Sequence, residues 1–195
     1  MSVDPAVVDL LRSLAPVLGR WGPWYLFGAQ ALNAHGVPRL TADVDVTLRL
    51  DLGAVDRFVA HMAESGFTPL SADTRFLERT RVVPFEHPRS GMALDVVLAG
   101  PGLEEDFLSR ATSRDVGGFV VPVITGEDLM IAKILAGRPK DVEDANALWR
   151  ALGRSLDASR IESILGLIER ALDRRDLLPE LASIRRRWPV GGSEE

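Results

Sequence analysis

Asp43 and Asp45 stand two residues apart at the head of an alternating stretch, VDVTLRL (44–50). Successive side chains of a strand point to opposite faces, so this spacing aims both carboxylates to one side. Two like charges so close repel, and one pKa rises unless something positive lies between them. A divalent cation is the simplest such counter-charge, and hard carboxylate oxygens suit Mg²⁺. A solvated strand edge or a turn cap also explains the pair taken alone. Asp95 weighs against that plain reading. It is the lone acid inside ALDVVLA (93–99), whose branched apolar residues read as a mostly buried strand. A buried carboxylate needs a partner. A neighbouring strand that carries Asp95 beside the pair completes a three-carboxylate site. Metals held in such a site activate an attacking hydroxyl and stabilise a phosphoryl transition state.

The elements that must position these acids follow from periodicity. WYLF (24–27) reads as a short strand ending at Gly28, and AQALNAH (29–35) as a short helix closed by Gly36. A glycine at that junction permits close backbone approach, and the helix start offers N–H groups to phosphate. Ahead of them, Asp4-Pro5 caps a helix carrying Val7, Leu10, Leu11, Leu14, Val17 and Leu18 on one stripe. Residues 52–65 form an amphipathic helix. Residues 74–87 read as one or two strands interrupted by Pro84, 92–100 as a strong strand, 103–114 as a helix and 118–124 as a strand. From Thr125 onward the pattern is helical only, over 129–137, 140–152, a segment capped by Asp157, and 177–188. The tail, 190–195, is expected to fray. The reading is an α/β fold: a core with a small mixed sheet over 1–124, then a C-terminal helical unit over 125–195 that completes a cleft.

Two segments carry a family resemblance. Gly28-Ala29 followed by ALNAHGVPRLTADVD (31–45), with His35, Gly36, Arg39, Thr41, Asp43 and Asp45 at fixed spacing, resembles the start of bacterial AbiEii-like and DUF6036-like nucleotidyltransferases of the polymerase-β-like superfamily. DLMIAKILAGRPKDVEDANAL (128–148) is similar to that group's helical segment, including Lys133 and Asp141. The resemblance spans roughly 20–150. It implies a nucleotidyltransferase fold and transfer of a nucleoside monophosphate from an NTP such as ATP to an acceptor hydroxyl on RNA (a tRNA end), protein or a small molecule. It implies Mg²⁺ or Mn²⁺ on Asp43, Asp45 and Asp95. It also implies nucleotide contacts at Gly28, Ala29, Arg39, Thr41, Lys133 and Asp141. It brings in a toxin-type enzyme with an antitoxin-type protein partner. One departure stands out: Ala29 occupies a position usually held by Ser or Gly, so it has no hydroxyl to hold a phosphate oxygen. That departure motivates an alternative, a catalytically inactive nucleotidyltransferase-like binding or regulatory module. Asp-x-Asp-x-Thr also matches haloacid-dehalogenase-like phosphatases. There the first Asp ends a strand, whereas VPRLTA (37–42) before Asp43 is a poor strand.

Outside that motif, Lys133 lies in an apolar helical run where its stem can snorkel. Asp141 and Asp144 share a helix side, which suits orienting Lys133 or Lys140 or belonging to an acceptor site, and charge compensation at a helix N-terminus also explains Asp141. His35, His61 and His87 have no ligand-like spacing. The four tryptophans read as core or lid residues.

Composition narrows the function classes further. The net charge is −5, with 11 basic and 15 acidic residues in 1–124 and 12 and 13 in 125–195. Neither part offers a broad basic face, so extended duplex DNA binding is not expected. The local cluster RRRW (185–188) is the only candidate for a basic patch, and such a cluster is more often a solvated helix face. Zero cysteines exclude thiolate zinc sites and iron–sulfur clusters. No apolar run has the length of a membrane span, and the acidic start lacks the basic flank of a secretory leader. A cytoplasmic location is the default expectation.

Overall fold

The computed structural model describes residues 3–71, 77 and 79–189. They fold as two compact units, one comprising residues 1–34 and 38–124 and the other residues 35–37 and 125–195.

The first unit opens with helix α1 (Pro5–Leu18), whose N-cap Asp4 accepts from the Ala6 amide at 2.9 Å. There follow β1 (Trp24–Phe27), α2 (Gly28–Ala34) and β2 (Asp43–Leu48). A 3₁₀ turn at Leu52–Ala54 leads into α3 (Val55–Glu64), and then β3 (Thr68–Pro69), β4 (Val82–His87) and β5 (Met92–Leu98). The unit closes with α4 (Leu103–Arg110), β6 (Thr112–Asp115) and β7 (Val120–Val123). The seven strands form one mixed sheet in the order β3-β4-β5-β2-β1-β7-β6.

Alternation along the central strands makes the sheet two-faced. Val44, Val46 and Leu48 of β2, Leu94, Val96 and Leu98 of β5, and Val83 and Phe85 of β4 are buried. Phe58 of α3 meets Phe85 edge-on at 6.0 Å, and Trp21 meets Phe58 at 5.6 Å. Each large side chain fully buried there contributes about 1.5–3 kcal/mol. The opposite positions, Asp43, Asp45, Ala93, Asp95, Pro84 and Glu86, are half-buried or exposed.

Two stretches differ from their sequence patterns. Of 74–87, residues 74–76 and 78 lie outside the described residues, residues 77, 79 and 80 are helical, and the strand starts only at Val82. Arg81 takes a left-handed backbone (φ 56°) there. Its guanidinium donates to the Leu98 and Ala99 carbonyls at 2.9 and 2.8 Å, which offsets the strain of that conformation. Pro84 does not interrupt β4. Its carbonyl accepts from the Leu70 amide at 2.9 Å, on the β3 side. Its missing N–H therefore faces the two-residue strand and leaves the β5 ladder intact. The helix expected to reach Arg114 stops at Arg110, because 112–115 turn back through Gly117 and Gly118 (φ 66° and 83°) to pair with β7. All four β6 residues are exposed, and its Arg114 and Asp115 protect a sheet edge from further pairing.

The second unit is helical: α5 (Gly126–Ala136), α6 (Pro139–Leu152), α7 (Ala158–Leu172) and α8 (Leu177–Arg187). Thr125 caps α5 through the Asp128 amide, and Asp157 caps α7 through the Arg160 amide, at 3.2 and 3.0 Å. Gly137 in the left-handed conformation ends α5. Leu129, Ile131, Ala145, Leu148, Trp149, Ile161 and Leu165 form its core. Residues 190–195 lie outside the described residues. No described helix is long and apolar enough to cross a membrane.

Candidate active site

Strand pairing decides where the acids go. β2 and β5 run parallel, and their register sets Asp45 opposite Asp95 and Asp43 opposite Ala93. Paired residues of neighbouring strands project to the same face, and the strands lie about 4.8 Å apart. Asp43, Asp45 and Asp95 therefore share one face of the sheet, the less buried one. Asp95 is held above the usual carboxylate range, first by burial and then by the charge of Asp43.

Burial increases along this face of β2. Beyond Asp45 comes Thr47, which is buried opposite the buried Tyr25 of β1. At the other end the chain enters from a loop that is anchored twice. Asn33 of α2 clamps Arg39, its Oδ1 accepting from the Arg39 amide at 2.8 Å and its Nδ2 donating to the Arg39 carbonyl at 3.0 Å. The Thr41 hydroxyl then donates to the Asp43 carboxylate. Between these anchors Leu40 is 98% exposed. Sequence reasoning singled out neither Asn33 nor Leu40. An amide in the last turn of a short helix was the only available signal for the clamp.

Gly28 follows Phe27, which pairs with Asp45, and its φ is +66°. A Cβ placed on Gly28 would lie 2.0 Å from Asp45 Oδ2. The bare Cα is what gives the Asp45 carboxylate its room. Ala29, next in α2, is half-buried and adds only a methyl group.

Among the described residues, no three His, Cys, Asp or Glu side chains are gathered closely enough to hold a metal ion as they stand. The chemistry of the donor set nevertheless fits one. Three carboxylates share a face, one resists ionisation because of its burial and then the charge of another, and hard oxygens are what Mg²⁺ and Mn²⁺ take.

Lys133 and Asp141 belong to the helical unit and to a different arrangement. Lys133 Nζ donates to Asp141 Oδ1 at 2.9 Å and to Asp144 Oδ2 at 2.7 Å, and its side chain is only 10% exposed. The ammonium does not snorkel outward; it ties α5 to α6. Arg138 also binds Asp141. Burial works against ionising Asp141, but the hydrogen bonds from Arg138 and Lys133 outweigh it and hold the carboxyl below its ordinary range. Nearby, Asp128 is fully buried and accepts from Arg160 at 2.7 Å.

The histidines have structural partners. His61 accepts from Trp21 Nε1 at 2.8 Å. His87 stacks on Phe67 at 4.9 Å, bonds Ser90 through Nδ1, and burial holds its pKa below the ordinary histidine range.

No protein-family model matches the chain, and no curated protein matches it by sequence. Solved structures do. The antibiotic-resistance factor ANT(2'')-Ia in solution superposes with a TM-score of 0.56 at 15% identity, over 95% of this chain and 94% of that one. The same protein in complex with adenylyl-2''-tobramycin gives 0.56 at 16% identity, over 95% and 99%. An antigenic nucleotidyltransferase-like protein from Paracoccidioides brasiliensis gives 0.51 at 16%, over 93% and 89%. The chain has a nucleotidyltransferase fold. In this fold Asp43 opens β2 instead of closing a strand, which removes the phosphatase alternative built on Asp-x-Asp-x-Thr.

Proposed function

We propose that the protein transfers a nucleoside monophosphate from an NTP to a hydroxyl group of an acceptor, using the face that carries Asp43, Asp45 and Asp95. The observation that carries this reading is the parallel register setting Asp45 against Asp95 on the face shared with Asp43. Asp43 and Asp45 would hold Mg²⁺ or Mn²⁺ with the triphosphate, and Asp95 would complete the set. The cation supplies positive charge to the phosphoryl oxygens and acidifies the acceptor hydroxyl. The acceptor oxygen attacks the α-phosphorus, the bond from Pα to the β-bridging oxygen breaks, and pyrophosphate leaves. The acceptor proton passes to the Asp95 carboxylate, which burial and the charge of Asp43 hold above the usual carboxylate range. Thr41 fixes the rotamer of Asp43, and Gly28 leaves room for Asp45.

A small-molecule acceptor is the first to test. Its support is the fold shared with a protein seen bound to adenylyl-2''-tobramycin. The AbiEii-like placement, with its toxin-type role and antitoxin-type partner, rests on the sequence resemblance of residues 28–45 and 128–148. Ala29 favours a second reading, a nucleotide-binding module without turnover, because no hydroxyl follows Gly28.

The test is incubation of the protein with each α-labelled NTP, Mg²⁺, and a panel of aminoglycosides, tRNA and cell-extract proteins. Wild type is expected to label one acceptor class, and Asp95→Asn to label it about 10²–10⁴-fold more slowly with NTP affinity largely kept. Binding of Mg²⁺-NTP without label on any acceptor supports the module. Equal labelling by Asp95→Asn removes the three-acid mechanism.

A further inference from the structure

The helical unit holds a hollow of about 260 Å³ between α6 and the end of α8. It includes the end of the RRRW cluster, which the proposed chemistry leaves unused. Trp188 lines it, held by two contacts to its indole and one to its backbone. Its Nε1 donates to Asn146 Oδ1 at 3.2 Å, its carbonyl accepts from the buried Trp149 Nε1 at 3.0 Å, and the Arg150 guanidinium lies 5.2 Å from its ring centroid. Asn146 is itself oriented, donating through Nδ2 to the Val142 carbonyl at 2.8 Å. A ring held this way gives up little freedom when a ligand stacks on it.

The charges around the ring are cationic on balance. Arg150 and Arg187 both line the hollow and are exposed. Arg187 makes only a 3.4 Å contact with the Asn146 side-chain oxygen. Among the described residues, Glu143 is the one carboxylate on the wall. Val142 and Ala147 supply an apolar floor. The hollow is smaller than a typical drug-sized site, so it suits one planar group with an attached anion.

The geometry points to a binding site for a single nucleotide unit, with the base against Trp188 and the phosphate between Arg150 and Arg187. Stacking on a fixed aromatic ring beside guanidiniums is how single-stranded nucleotides are held without sequence readout. The same chemistry admits a free mononucleotide or the unpaired end of an RNA strand. A chain of net charge −5, without a broad basic face, suits one or two nucleotides and not a duplex.

The site is independent of the carboxylate face and is tested with that face disabled. The full chain in EDTA is titrated with AMP by calorimetry and with a fluorescein-labelled oligoadenylate RNA of eight nucleotides by polarisation. The titrations are repeated for Trp188→Leu, for the double variant Arg150→Ala/Arg187→Ala and for Asp45→Asn. Wild type and Asp45→Asn are expected to bind alike. Trp188→Leu is expected to bind about tenfold or more weakly. The double arginine variant is expected to lose about 0.7 in the slope of log K against log salt for each strand phosphate contact removed. Binding of AMP assigns the site to free nucleotide; binding of the oligonucleotide alone assigns it to a strand end. Binding of neither probe, or wild-type affinity in both the Trp188 and arginine variants, overturns the site. The arginines are exposed, so the double variant keeps the test valid even where Trp188→Leu loosens α8.

Discussion

Asp95 and Asp141 are both carboxylates set into packed elements, and their ionisation is displaced in opposite directions. Around Asp95, burial and the charge of Asp43 both push the pKa up. Around Asp141, burial pushes up as well, but Arg138 and Lys133 bring it down below the ordinary range. The acids of the helical unit are matched by cations of their own chain: Asp128 by Arg160, and Asp141 and Asp144 by Lys133. The sheet face instead sets Asp43, Asp45 and Asp95 together. The contrast separates two uses of a buried charge. In one, the protein's own cation locks two helices. In the other, three carboxylates share one face of a sheet, and burial with the charge of Asp43 holds Asp95 above the usual range.

The largest expected effect breaks the helical side of the comparison. Lys133→Met leaves Asp141 and Asp144 buried without their shared ammonium, and removing one partner of a buried ion pair typically costs about 3–5 kcal/mol. Urea unfolding of the variant should show a loss of that order, with Mg²⁺-NTP binding measured below the transition close to wild type. Unchanged stability with weakened NTP binding would instead move Lys133 to the phosphate role that the resemblance implies.

Gly28→Ala probes the sheet side. It forces an alanine into a left-handed conformation, at about 1–3 kcal/mol, and drives its Cβ into the Asp45 carboxylate. The expected result is a modest loss of stability with a disproportionate loss of Mn²⁺ affinity, read by melting and by metal titration on the same preparation. A loss of stability alone would confine Gly28 to the backbone.

The smallest effect is in pH dependence, and the signs differ. Asp141 has a lowered folded-state pKa, so its stabilisation is present above its unfolded value of 3.8 and is lost as pH falls through the depressed value. Asp95 has a raised pKa, so its contribution favours folding at low pH and is lost as pH rises from 3.8 through the raised value. In EDTA, Asp141→Asn should therefore lower the melting temperature more at pH 7 than at pH 3. Asp95→Asn should raise it at pH 7. The same sign for both variants would erase the distinction between the two regions.

How much of this was legible in the sequence follows from what each residue needs. The alternation around Asp43 and Asp45 is local, and β2 forms there. The run around Asp95 is equally local, and β5 spans 92–98. Register is not local. Nothing within VDVTLRL (44–50) says that Asp45 will pair with Asp95 and not with Ala93, because pairing depends on which strands the topology makes neighbours. Gly28 was visible as a junction glycine, yet its contact with Asp45 needed the β1–β2 pairing. Lys133 shows the opposite difficulty. Its apolar neighbours suggested a snorkelling stem, and the spacing of Asp141 and Asp144 placed both on one side. That the ammonium would be buried between them depends on α5 packing against α6. The Asn33 clamp and the projecting Leu40 had almost no sequence signal, since loop geometry is set by what anchors it.

The most direct measurement of the central claim is electron paramagnetic resonance titration of Mn²⁺ in the presence of a non-hydrolysable ATP analogue, comparing wild type, Asp43→Asn/Asp45→Asn, and Lys133→Met. Wild type should bind Mn²⁺ more tightly than the analogue alone does, the double Asp variant should fall to the level of the analogue alone, and Lys133→Met should bind as wild type while folded. Equal Mn²⁺ binding by wild type and the double Asp variant would contradict the assignment of the metal and the nucleotide to the sheet face.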